Sequence, residues 1–212
     1  MTNNKYDSIL CDLGNVLVNF DHRIAVKKIL HCAKKNEQDI YQLFFDSGIT
    51  KDYEEGRIKT MDFYRRVKDS LGLDMDYGAF LPAWNDIFFE TPLNKKIQNF
   101  LKKIKTKYKI AMISNINESH YEFLRQKMSI FAEFDKLILS YEVGFRKPAP
   151  EIYNAALESL RTPASRTFYI DDRADLIEAA SKLGIKGIVF DGEEAFGKIK
   201  KELYEIPHNR RI

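Results

Sequence analysis

Cysteine is scarce in this chain. Of 212 residues only Cys11 and Cys32 are cysteines, too few for a disulfide framework in a chain of this size, and Cys11 lies inside an apolar run where a buried thiol is expected. A reducing cytoplasm fits that usage. The N-terminal stretch MTNNKYDSIL also lacks a charged start followed by a long apolar run, and no segment approaches the roughly 18 apolar residues of a membrane span. Glycine and proline are sparse, at 10 and 6 residues, and 44% hydrophobic against 31% charged residues argues against a disordered chain. Charge of one sign is nearly balanced, with a net +3. The densest basic run, KKIKTKYK ending at Lys109, invites a nucleic-acid reading. Leu93, Ile97, Phe100, Leu101 and Ile104 recur at helical spacing around it, so its lysines form the solvated face of an amphipathic helix. None of the histidines, His22, His31, His120 and His208, has a metal-like or triad-like spacing. Neither nucleic acid nor membrane is expected as a partner, and a monomer is expected.

What the chain does have is length for one substantial core with a smaller module packed against it. Its second half alternates short apolar runs with amphipathic helical stretches, in the order that a parallel sheet with crossover helices requires. The runs are KIAMIS at Ile110 to Ser114, KLILS at Leu137 to Ser140, TFYID at Phe168 to Asp171 and GIVF at Ile188 to Phe190. Between them, Ile152, Ala155, Ala156 and Leu160, then Ala174, Ile177 and Ala180, repeat at helical spacing. The fold class is α/β. A first strand, ILCDLG at Ile9 to Gly14, stands far upstream, and the intervening stretch is helical. Val26, Ile29, Leu30 and Ala33 share one face, as do Phe63, Val67 and Leu71, and then Phe80, Trp84, Ile87 and Phe88. Aromatic residues at this spacing form a bundle core more often than a ligand pocket. The tail HNRRI after Pro207 is expected to fray.

Four polar clusters fall at the ends of these strands. Asp12 ends the first, and the turn Gly14-Asn15 lets backbone approach a bound group. Ser114 and Asn115 end the second, Arg146 and Lys147 occupy a loop before a helix, and Asp171, Asp172 and Asp175 follow a later strand. Any one of these has a structural explanation as a cap or surface residue. Together they suit attack by a carboxylate on a phosphate, two anions that repel by about 4 kcal/mol per charge pair at about 4 Å and an effective dielectric near 20. A cation must bridge them. Asp12, Asp172 and the Gly14 carbonyl supply the oxygen ligands Mg2+ prefers. Lys147 places a compact positive charge on the transferring group. The Ser114 hydroxyl and Asn115 amide donate to its oxygens, and backbone N–H groups after Asp12, at Leu13 and Gly14, cradle it.

The motifs LCDLGNVLV, MISN, FRKP and YIDDRAD, in this order from Cys11 to Asp175, resemble those of the haloacid dehalogenase superfamily. The resemblance implies a Rossmann-like parallel-sheet core, residues 1–19 and 91–212, with an inserted helical cap of four-helix type, residues 20–90. GFRKPAPEIY and the Asp-Asp pair resemble the phosphatase-like branch, and DLGNV resembles bacterial sugar-phosphate phosphatases of the glucose-1-phosphate type. The implied activity is that of a magnesium-dependent phosphatase acting on a small phosphorylated metabolite. Asp12 attacks phosphorus and forms an aspartyl-phosphate that water hydrolyses. Ser114 and Lys147 hold the phosphoryl group, Asp171 or Asp175 orients Lys147, and Asp172 is the second metal ligand.

One position departs from the pattern. Most phosphatases of the superfamily carry a second Asp two residues after the nucleophile, as general acid and base; here that residue is Gly14. General acid catalysis is worth about 10²- to 10⁴-fold. The enzyme is therefore slow, uses a leaving group that needs little protonation, such as an anomeric sugar phosphate, or borrows an acid from Asp21 or the cap. The segment FFDSGITKDYEEGRI, from Phe44 to Ile58, interrupts the helical pattern and is the candidate for the part facing the site, an ordinary loop being the alternative. Two rival functions are a haloacid dehalogenase, disfavoured by the Asp171-Asp172 pair, and a phosphate- or metabolite-binding module that has lost turnover through Gly14.

Overall fold

The computed structural model describes residues 5–204; His208 and the tail expected to fray lie outside them. Five strands form a parallel sheet in the order β5-β4-β1-β6-β7: β1 (Ser8–Cys11), β4 (Lys109–Ser114), β5 (Lys136–Leu139), β6 (Thr167–Asp171) and β7 (Lys186–Val189). The order places β1 at the centre, with Ile9 opposite Ile110 on one side and Phe168 on the other. The α/β expectation therefore holds.

Successive residues of β1 serve opposite faces, as the pleat demands. Ile9 and Cys11 join a core with α6 (Pro92–Ile104), α7 (Glu118–Lys127) and α11 (Glu193–Tyr204), whereas Leu10 joins a second core with α9 (Pro150–Leu160) and α10 (Ala174–Lys182), the single-turn α8 (Ser140–Val143) following β5. Both faces are covered, which is why the strands read as continuous apolar runs. In α6 the spacing seen in the sequence buries Ile97, Phe100, Leu101 and Ile104, leaving the lysines of the basic run on the outer face.

Between β1 and β4 lie α1 (His22–Ile29), α2 (Glu37–Asp46), α3 (Gly48–Glu54), α4 (Thr60–Leu71) and α5 (Tyr77–Asn85). They enclose a hydrophobic cluster of their own, with Phe44, Tyr53, Phe63, Phe80 and Trp84 at its centre. There are five helices here rather than four, because the interrupted stretch forms α3: Ser47 accepts from the Thr50 N–H and starts a new helix beside Gly48. Leu30 lies past the end of α1 and is exposed, so the face expected there stops at Ile29. Phe88 belongs to a two-residue strand, β3 (Phe88–Phe89), paired antiparallel with β2 (Asn19–Phe20). This small ribbon ties the start and end of the helical segment together, and Phe88 packs against both neighbouring cores. No helix of the described residues is long and apolar enough to cross a membrane.

Candidate active site

The carboxyl ends of the three central strands, β4, β1 and β6, meet at one edge of the sheet, where open α/β sheets bind ligands. Asp12 follows β1 directly, and its N–H donates to the Ile170 carbonyl at 2.9 Å, so the turn starts from the sheet itself. Hydrogen bonds in that turn are donated by Asn15, Leu17 and Val18 to the Val18 and Leu13 carbonyls. The Leu13 and Gly14 N–H groups and the Gly14 carbonyl take no part in it. Asn15 turns the chain with φ of 54°, a left-handed conformation Asn tolerates, and its Nδ2 donates to Asp172 Oδ2 at 2.9 Å.

Lys147 is the centre of the constellation. Its buried ammonium lies 2.8 Å from Asp12 Oδ1 and 2.7 Å from Asp171 Oδ2. Burial disfavours the charge, but the Asp12 and Asp171 carboxylates outweigh it and hold Lys147 above the ordinary lysine range. Asp171 is fully buried and committed: Oδ2 also accepts from the Tyr169 hydroxyl, and Oδ1 accepts from the Arg173 N–H at 2.9 Å. Among the described residues the Asp12 carboxylate has only the lysine. Its burial raises the carboxyl to about 7, against the opposing pull of Lys147, with Asp171 and Asp172 adding to the rise. Burial likewise raises Asp172, partly offset by the Asn15 hydrogen bond.

Asp12, Asp171 and Asp172 offer carboxylate oxygens within 4.8 Å of one another. With Asp171 held by three donors, Asp12 and Asp172 are the pair left with oxygen to share. Two carboxylates and an uncommitted main-chain carbonyl at Gly14 form a hard, oxygen-only donor set, and such sets suit Mg2+, which usually takes one or two carboxylates with water and substrate oxygens. The residues fit that ion.

Of the other residues singled out in the sequence, Ser114 ends β4 in a buried position, and its hydroxyl has no hydrogen-bond partner among the described residues. Asn115 is arranged differently from expectation. Its Oδ1 accepts from the Lys147 N–H at 2.7 Å and its Nδ2 donates to the Lys147 carbonyl at 2.9 Å, so the amide secures the lysine's main chain. Asp175 is turned away: it pairs with Arg173 at 2.6 Å on the surface, so of Asp171 and Asp175 it is Asp171 that contacts Lys147. Asp21 caps α1, accepting from the Arg23 N–H at 2.9 Å. In the segment from Phe44 to Ile58, Tyr53 is buried and Arg57 pairs with Glu55, while Glu54 reaches the Lys147 loop, 2.8 Å from Arg146.

Three contacts were not foreseen in the sequence: that of Tyr169 with Asp171, of Asn15 with Asp172 and of Glu54 with Arg146. Tyr169 lies two residues before Asp171 on the same face of β6, a placement the strand period predicts. Asn15 carries the left-handed turn next to Gly14. Glu54 has no sequence signal linking it to Arg146.

A D-ribitol-5-phosphate phosphatase of Bacteroides thetaiotaomicron is 26% identical to this chain over 185 residues, covering 84% of this chain and 89% of its own length. A pyrimidine 5'-nucleotidase of Escherichia coli is 27% identical over 183 residues, covering 81% and 79%. The crystal structure of a HAD family enzyme from Bacteroides thetaiotaomicron, in complex with magnesium and inorganic phosphate, superimposes with a TM-score of 0.79 at 28% identity, covering 89% of this chain and 96% of that one. A family model matches residues 6–184, a span that holds the whole edge from Asp12 to Asp175, and the chain thus belongs to the haloacid dehalogenase-like hydrolases.

Proposed function

We propose that this hydrolase is a magnesium-dependent phosphatase of small phosphate monoesters, sugar phosphates foremost, working through an aspartyl-phosphate on Asp12. The observation that carries the reading is the Lys147 ammonium seated between Asp12 and Asp171 with Asp172 beside them. A lysine held charged by a fully committed carboxylate is a fixed cation for an incoming phosphoryl group. The less committed carboxylate, Asp12, is the nucleophile.

In this reading the phosphoryl oxygens are received by Lys147, the Ser114 hydroxyl and the Leu13 and Gly14 N–H groups. Asn115 positions Lys147. Asp12, Asp172 and the Gly14 carbonyl hold Mg2+, which neutralises the repulsion between carboxylate and phosphate. Residues 1–19 and 91–212 act as the core that carries the chemistry, and residues 20–90 as the cap that excludes water. The relatives that act on ribitol 5-phosphate and on pyrimidine 5'-nucleotides support a small phosphorylated metabolite as substrate. A cytoplasmic monomer is the setting we propose, in keeping with two cysteines, Cys11 and Cys32, that are both free.

The test is release of phosphate from a panel of sugar, polyol and nucleoside monophosphates, with magnesium, with chelator and with Asp12→Asn. Metal-dependent release lost in Asp12→Asn is expected. Binding without turnover of any ester would move the chain to a binding module, and metal-free release of halide from 2-haloacids would make it a dehalogenase.

A further inference from the structure

Position 14 lacks a side chain for a reason visible in the fold. Gly14 does not adopt left-handed backbone, so conformation permits any residue there. Contact does not: a Cβ on Gly14 would lie 2.8 Å from Phe20 Cε1 and 3.4 Å from Cδ1. Approaches under about 3 Å between carbons are repulsive, the attractive optimum being about 3.5 to 4.0 Å. The Phe20 ring is not free to swing away. It belongs to β2, whose backbone is paired with β3, and it packs against Phe88 at 6.2 Å and edge-on to His22 at 5.4 Å between ring centroids.

Among the described residues, the carboxylates and the lysine around Asp12 offer no replacement acid. Asp171 is held by Lys147, Tyr169 and the Arg173 N–H. Asp172 accepts from Asn15, and Lys147 is divided between two carboxylates. Asp21, next to Phe20, is spent on capping α1. His22 stacks on Trp84 at 5.7 Å between centroids, and burial lowers it to about 4, so it stays neutral at neutral pH. A Cβ at position 14 would meet Phe20, and Phe20 in turn packs on His22 and Phe88, so what lies behind it is aromatic and without charge.

We infer that Phe20 keeps position 14 bare and leaves this side of the site without a carboxylic acid, so that the enzyme selects phosphate compounds whose leaving oxygen departs without a proton from the protein. The inference rests on phosphoryl transfer to Asp12. In that step an Asp12 oxygen forms the bond to phosphorus while the bond from phosphorus to the leaving oxygen breaks. The electron pair stays on the leaving oxygen, which takes its proton from water after departure. Water then cleaves the aspartyl-phosphate, releasing phosphate and restoring Asp12. Anomeric, enol and aryl phosphates are the favoured class, ahead of phosphates of primary alcohols. Phe20 acts through space as a specificity-determining residue.

The experiment is kcat/KM with magnesium for a series of substituted phenyl phosphates, which hold shape nearly constant while the acidity of the leaving phenol varies, together with one anomeric and one primary-alcohol sugar phosphate. The wild type is expected to slow steeply as the phenol becomes less acidic. Gly14→Asp alone stays as steep, because Phe20 blocks the new carboxyl. Gly14→Asp with Phe20→Ala flattens the series and raises the primary-alcohol substrate relative to the acidic phenyl ester by about tenfold or more, within the 10²- to 10⁴-fold reach of a general acid. Ratios within one variant are independent of how much of it folds. A flat wild-type series overturns the inference with no variant needed, and so does Gly14→Asp flattening it as fully as the pair of substitutions. Asp12→Asn separates the two levels: if it keeps metal-dependent turnover, the aspartyl-phosphate reading fails; if it is inactive and the wild-type series is flat, only the role of Phe20 fails.

Discussion

The Asn115 side chain holds Lys147 by its main chain at both ends, accepting from its N–H at 2.7 Å and donating to its carbonyl at 2.9 Å. The lysine's backbone is thus tied to the end of β4, and its ammonium is tied to the ends of β1 and β6. Three strand ends fix one residue. Asn115→Ala removes two hydrogen bonds of about 1 kcal/mol each, and a displaced lysine should lower kcat/KM by about ten- to a hundredfold. Steady-state kinetics checks this; unchanged kinetics would show that the two carboxylates position Lys147 unaided.

Asp171 and Asp12 differ in what their loss leaves behind. Asp171→Ala leaves the buried Lys147 ammonium with Asp12 as its one carboxylate and strands the Tyr169 hydroxyl and the Arg173 N–H, and breaking such a buried pair costs about 3–5 kcal/mol. Asp12→Asn removes one of three clustered carboxylates while Lys147 keeps Asp171. Denaturant unfolding in chelator should show Asp171→Ala strongly destabilised and Asp12→Asn at least as stable as wild type.

Magnesium should reverse the order of wild type and Asp12→Asn. An ion that binds only the folded chain adds about 2.7 kcal/mol at a hundred times its Kd. Thermal unfolding with and without magnesium should show a rise in Tm for the wild type and little or none for Asp12→Asn and Asp172→Asn. Equal rises in all three would remove these residues from the metal site.

Stability should fall in mild acid through two histidines. His120 donates from Nε2 to the Trp84 carbonyl at 3.1 Å and accepts at Nδ1 from Asn117 at 3.0 Å, an arrangement that requires the neutral ring. Burial lowers His120 to about 3 and His22 to about 4, from 6.5. Folded pKa values below the unfolded one mean that the unfolded chain takes up protons first. The stability that the two histidines contribute is therefore complete above about pH 6.5 and declines as pH falls toward about 4, while the raised Asp12 carboxyl acts in the opposite sense over the same range. The loss amounts to a few kcal/mol, because each protonating histidine costs about 1.4 kcal/mol for every pH step below its unfolded value. Denaturant unfolding from pH 7.5 to 4.5 checks the slope, and His22→Phe should make it shallower.

Glu54 and Arg146 link α3 to the Lys147 loop at 2.8 Å. Truncating either leaves a largely buried charge unpaired. In a double-mutant cycle, Glu54→Ala and Arg146→Ala should together cost less than the sum of the single changes, with a coupling of about 0.5–3 kcal/mol. Strict additivity would mean the pair contributes no coupling.

The sheet was legible in the sequence because a strand buried on both faces is an apolar run, and the runs ending in Ser114 and Asp171 could be little else. The site was legible because its polar residues sit directly at those ends. What the sequence hid depends on distance between segments rather than on pattern. Two-residue strands such as Asn19–Phe20 carry no period. The stretch around Gly48 looked interrupted because two helices abut there, with Ser47 ending one and capping the next. Asp175 looked equivalent to Asp171, yet it lies in the first turn of α10 and faces out to Arg173. The contact of Phe20 with Gly14 joins residues close in sequence, but only the folded ribbon shows that the ring fills the space over the glycine.

The central position of β1 has a consequence for how the chain is made. Ser8 pairs with Thr167, 159 residues later, and with Lys109 on its other side. A ribosome that has released the first strand must synthesise a long stretch of polypeptide before either neighbour exists, and strands whose partners are so remote are slow to pair and prone to aggregate meanwhile. The segment emitted directly after it, residues 22–85, is rich in short-range helical contacts and can collapse locally during that interval. The strand that leads into Asp12, the proposed nucleophile, is thus translated early and completed late, and a message truncated before Thr167 encodes Asp12 without β6 and its Asp171.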